Sequence, residues 1–97
     1  MTLSEFLASL TERQVPASLA PPLLALWHDA AGNWEEAHRV AQEIDDATGA
    51  VIHAYLHRKE GDAANAGYWY RRAGRTPFTG SLDQEWNTLV ASLLTAH

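Results

Sequence analysis

Leu26-Trp27-His28-Asp29-Ala30-Ala31-Gly32-Asn33-Trp34-Glu35-Glu36-Ala37 is echoed 29 residues later by Tyr55-Leu56-His57-Arg58-Lys59-Glu60-Gly61-Asp62-Ala63-Ala64-Asn65-Ala66. Sliding the chain by that interval pairs Ala25 with Ala54, His28 with His57, Gly32 with Gly61 and Ala37 with Ala66, and sets Asn33 against Asp62. In each copy a small residue stands seven before the Gly-Asx turn and an Ala five after it. Small side chains at those points let two antiparallel helices approach closely across a tight turn. The repeat therefore predicts two helical hairpins, over about residues 22–45 and 50–75.

Helical signals continue on both sides. Thr2 and Glu5 have capping-box spacing, and Leu3, Phe6, Leu7 and Leu10 follow at helical intervals, which predicts a helix over about 3–13. Pro16, Pro21 and Pro22 end that helix, and Pro22 suits the first turn of the next, where no amide donor is needed. Thr48-Gly49 reads as a break, with the following helix starting at Val51. Ser81 and Gln84 form a second capping-box pair. Leu82, Trp86, Leu89, Val90, Leu93 and Leu94 then form a 3.6-residue stripe, predicting a last helix over about 81–95. No stretch alternates in the manner of a strand. The expected fold is a single all-α domain over 1–97.

The hairpins resemble the tetratricopeptide (TPR) repeat. Ala25/Ala54 and Ala37/Ala66 take the places of its small residues, and Tyr70, Ala73 and Pro77 the places of its later aromatic, Ala and Pro. The period of 29 is shorter than the family's 34, Ile44 replaces an expected Ala, and His28 and His57 stand where Tyr is common. The resemblance implies a non-enzymatic interaction module with a concave surface for a protein or peptide partner. Two hairpins barely cover their own apolar faces, so the flanking helices are expected to cap them, and a homodimer is a further expectation. The run His53-Ala54-Tyr55-Leu56-His57-Arg58-Lys59-Glu60-Gly61-Asp62, with Asn65-Ala66 and Tyr68 to Arg75, also resembles a group of small bacterial proteins with no established activity. Trp34, Ala37, His38 and Gln42 fit the same pattern.

Composition narrows the chemistry. Without cysteine there is neither a disulfide nor a thiolate nucleophile, and zinc ligation by sulfur is excluded. A net charge of −5 argues against nucleic acid and anionic membranes as partners. No apolar run is long enough to span a bilayer, and the amino terminus lacks a basic leader, so a cytoplasmic location is expected. No P-loop, GxGxxG or Gly-x-Ser-x-Gly motif is present, so no catalytic residue is assigned.

Two constellations are candidates for binding. His53, His57 and Glu60 lie at i, i+4 and i+7 on one helical face, a donor set for a divalent metal such as zinc. Stacking of the repeats would bring His28 alongside them. The alternative is a packed, hydrogen-bonded histidine cluster without metal. Arg58, Arg71 and Arg72, with Tyr68, form a basic aromatic patch suited to an anionic or polar small molecule. The competing reading pairs these bases, with Lys59 and Arg75, internally or through self-association with Glu35, Glu36, Glu43, Asp45 and Asp46. Trp27, Trp69 and Trp86 are expected in the core, and Trp34 in a hydrophobic staple or, as the alternative, stacked against a sugar or other ligand.

Overall fold

The structure is a computed structural model describing residues 1–95. Among them are six helices and no strand: α1 Leu3–Glu12, α2 Pro21–Ala30, α3 Trp34–Gln42, α4 Ala47–Lys59, α5 Ala63–Arg72 and α6 Leu82–Thr95. Both capping boxes form. Glu5 N–H donates to Thr2 Oγ1 at 3.1 Å and Thr2 N–H to Glu5 Oε1 at 2.8 Å. Ser81 and Gln84 repeat the exchange at 3.0 and 2.8 Å. Helix α2 starts at Pro21, with proline in its first turn.

The two echoed turns fold alike. Gly32 and Gly61 have φ of 87° and 90°, a left-handed conformation that only glycine adopts at little cost. Gly32 N–H donates to Asp29 O and Asn33 N–H to His28 O; Gly61 N–H donates to Arg58 O and Asp62 N–H to His57 O. Each is a Schellman termination. The Asx side chain then caps the next helix, Asn33 accepting from Glu36 N–H and Asp62 from Asn65 N–H. Across these turns α2 packs on α3 and α4 on α5, and α3 packs on α4 between them.

One boundary differs from the sequence expectation. The break lies at residues 43–46, and α4 begins at Ala47 with Gly49 inside it. Asp46 supplies the cap, accepting from Gly49 N–H at 3.0 Å. Gly49 is there for space: a Cβ would collide with the carbonyl oxygen and Cβ of Ile44. Its absence lets the chain double back against the first turn of α4.

Helix α4 is the centre. Gly49 to His57 is buried without interruption, between α3 and α5 and against α2 and α6. Phe6, Leu26, Ile52, Leu56, Tyr70 and Val90 form the innermost core. Trp27 and Trp86 are buried as expected, their indole N–H groups donating to Ser9 Oγ and Leu26 O, each at 3.0 Å.

Two buried carboxylates tie α4 to its neighbours. Asp29 of α2 accepts from Tyr55 Oη at 2.7 Å and Lys59 Nζ at 2.9 Å. Glu85 of α6 accepts from Arg58 Nε at 3.0 Å and Tyr70 Oη at 2.5 Å. Burial first, and then these carboxylates, push both phenols well above the ordinary tyrosine range, so they remain donors.

Two substitutions test this packing. Gly49→Ala should lower unfolding free energy by about 2 kcal/mol despite alanine's better helix propensity, through overpacking against Ile44. Glu85→Ala should cost about 3 kcal/mol by leaving Arg58 without its buried partner. Urea denaturation measures both; a loss under 0.5 kcal/mol, the range of ordinary surface changes, would contradict either.

Candidate functional site

The histidine pair expected on α4 forms as spacing requires. His53 and His57 lie one turn apart, with rings stacked at 4.9 Å and 15°. The third imidazole is His38, from α3. Its Nε2 lies 2.8 Å from Nε2 of His53, and its ring meets those of His53 and His57 edge-on at 4.5 and 5.3 Å. One nitrogen of each of the three residues lies within 4.8 Å of the others.

His28 is not among them. Its position one residue from Asp29 explains why. Asp29 is the α2 side chain turned to Tyr55 and Lys59 of α4, and a step of one residue rotates about 100° around a helix. His28 is half-buried, edge-on to Trp27 at 5.5 Å. Nor does Glu60 join His53: it closes on Nδ1 of His57 at 2.6 Å and groups with His57 and Asp62. The expected set of His53, His57 and Glu60 is thus replaced by His38, His53 and His57, with Glu60 behind His57.

Two tryptophans frame the cluster, in roles different from those expected of them. Trp34 lies flat on His38 at 5.0 Å and 13°, anchored by its indole N–H donating to Leu56 O at 2.9 Å. Trp69 lies flat on His53 at 3.9 Å and 12°, half-buried rather than in the core. In α3, Trp34 and His38 have the same i, i+4 spacing as His53 and His57 in α4. That matched pair was the sequence signal for the third imidazole.

The basic patch divides. Arg58 is occupied internally: besides Glu85, its Nη1 donates to Gly80 O at 2.8 Å and its guanidinium sits over Phe78. Lys59 is taken by Asp29. Internal pairing therefore holds for these two, but with Asp29 and Glu85 rather than the acids expected. Arg39 takes Glu36 and Glu43 instead. Tyr68, Arg71 and Arg72 are exposed. Arg72 lies over the rings of Trp69 and Tyr68 at 5.5 and 5.8 Å and donates to Tyr68 Oη at 3.3 Å. His53, Trp69 and Arg72 border a cleft of about 280 Å³ that Gln42, Asp45 and Asp46 also line.

Burial sets the charge state of the cluster. Desolvation, reinforced by His38 and His57, pushes His53 down to about 4. Desolvation and then His57 also hold His38 below its ordinary value, against a smaller opposing pull from Glu60. At neutral pH His53 is an uncharged imidazole with an available lone pair.

Between pH 6.5 and about 4 the unfolded chain binds the proton that folded His53 refuses, so unfolding takes up a proton. The stability associated with neutral His53 is full above pH 6.5 and is lost progressively down to about pH 4. The protein should lose about 2 kcal/mol between pH 7 and pH 5 that His53→Gln does not lose. Urea midpoints of both proteins at the two pH values measure this; parallel curves would refute it.

In comparisons with known proteins, no family model, no curated protein and no solved structure matches this chain, so its function is argued from the site itself.

Proposed function

We propose that this is a small ligand-binding protein whose working part is the His38–His53–His57 cluster with the adjoining cleft. The convergence of three imidazoles from two hairpins carries this reading. A histidine kept only for packing would be expected to find a backbone carbonyl or a carboxylate. His38 and His53 instead face each other through Nε2, where one nitrogen must donate and the other accept. Flat aromatic walls fix both ring planes, as a binding site requires of its polar groups. The ligand class is a small polar species or ion that bonds to uncharged imidazole nitrogens, with Trp69 and Arg72 available at the cleft edge.

The scaffold is read as a TPR-like pair of hairpins. Supporting this are the two Schellman turns with equivalent hydrogen bonds and the packing of α3 on α4 between the pairs. A peptide-docking role is the second reading. It is favoured by a groove of about 510 Å³, where Pro21, Pro22, Leu24, Val40 and Ile44 form an apolar floor beside the charged Arg39, Glu43 and Asp46. The imidazole cluster lies outside that lining, so the two readings separate by mutation.

Native mass spectrometry of the untagged protein, isolated from its own cells without chelators, tests the leading reading. The wild-type chain should carry an added low mass that His38→Ala and His53→Ala both lose while keeping their helical circular dichroism. A wild-type mass equal to that of the bare chain would overturn it.

A further inference from the structure

We infer that the cluster is a divalent transition-metal site, with His38, His53 and His57 as three nitrogen ligands and Glu60 as the carboxylate that orients His57. This rests on the ligand-binding reading above and specifies its occupant.

The donor set comes first. Three imidazoles with no thiolate suit a borderline ion such as Zn²⁺, Co²⁺, Ni²⁺ or Cu²⁺, and not Mg²⁺ or Ca²⁺, which take oxygen. The spacing comes next. Two imidazole nitrogens each about 2.0–2.1 Å from a tetrahedral ion stand about 3.3–3.4 Å apart. The pair His38 Nε2 and His53 Nε2, at 2.8 Å, needs to open by about half an ångström. The third nitrogen, within 4.8 Å of the other two, closes in by at most about 1.4 Å. His38 is half-buried on the shorter helix α3, and the stacked face of Trp34, which holds its ring plane, leaves it a shift of that size within the plane.

The proton balance also works. In the metal-free pair one Nε2 carries the hydrogen that the other accepts. Coordination needs a lone pair on both, so the donor ring moves its proton from Nε2 to Nδ1, with no net release. His57 is already prepared: Glu60 accepts from its Nδ1 at 2.6 Å, which leaves the lone pair on Nε2. That is the carboxylate–histidine arrangement by which metalloproteins fix a ligand's tautomer. Trp34 and Trp69, flat against His38 and His53, limit ring rotation and lower the ordering cost of binding. Three protein ligands leave a fourth position for water or a small anion.

The test uses the full chain without a polyhistidine tag, with Zn²⁺ titrated by calorimetry and Co²⁺ followed by its visible absorption. The expected result is saturable binding of one equivalent and intense tetrahedral Co²⁺ bands. His38→Ala, which removes a half-buried ring and spares the core, should abolish both. Glu60→Gln should weaken Zn²⁺ by about 10–100-fold. His28→Ala, outside the cluster, should leave binding unchanged. Absence of saturable binding, or equal losses in His28→Ala and His38→Ala, would overturn the metal assignment. So would an organic mass retained by the wild-type chain and lost in His38→Ala without any Zn²⁺ affinity; that outcome leaves the ligand-binding reading standing.

Discussion

A helix buried from Gly49 to His57 in a chain of 97 residues must find a partner for every polar side chain it carries, because an unpaired polar group away from water costs more than a hydrogen bond returns. Helix α4 carries His53, Tyr55 and His57 in that stretch, with Arg58 and Lys59 immediately beyond it. Asp29 answers Tyr55 and Lys59, and Glu85 answers Arg58. His53 has only another imidazole, and that pairing sets it apart from them. A partly buried His–His hydrogen bond between rings disposed to stay uncharged is a weak reason to set one histidine in the core and a second against it.

Much of the architecture was legible in the sequence because it rests on local chemistry. Gly-Asx pairs 29 residues apart, two Ser/Thr-to-Glu/Gln capping pairs and the apolar stripe of the last helix each act within one turn of chain. The break assigned to Thr48-Gly49 failed for a tertiary reason. Glycine ends helices when it takes a positive φ, but Gly49 is helical and serves the close passage of Ile44. Nothing in a single sequence separates those two uses.

The candidate site was half legible. Spacing along one helix placed His53 and His57 on a shared face, whereas the third ring depended on which neighbour that face meets. Equivalence within the repeat pointed to His28; packing presents Asp29 to α4 instead and brings in His38 from α3. Arg58 read either as part of a basic patch or as a partner of the acids on the preceding helices, because its actual partner, Glu85, lies 27 residues on, where no short-range pattern connects them. Trp69 looked like core by periodicity, yet its flat face closes on an imidazole at the edge of a cleft.

The cluster lies on the seam where α3 packs on α4, with one ring from the first helix and two from the second. Neither half of the helical array holds all three rings. Whatever occupies it fastens the halves together, adding about 2.7 kcal/mol to the folded state at a free concentration 100 times its dissociation constant. For a domain of this size that is a large share of total stability. The chain's lifetime against proteases would then follow the supply of its occupant, which makes abundance itself a readout of what the seam holds.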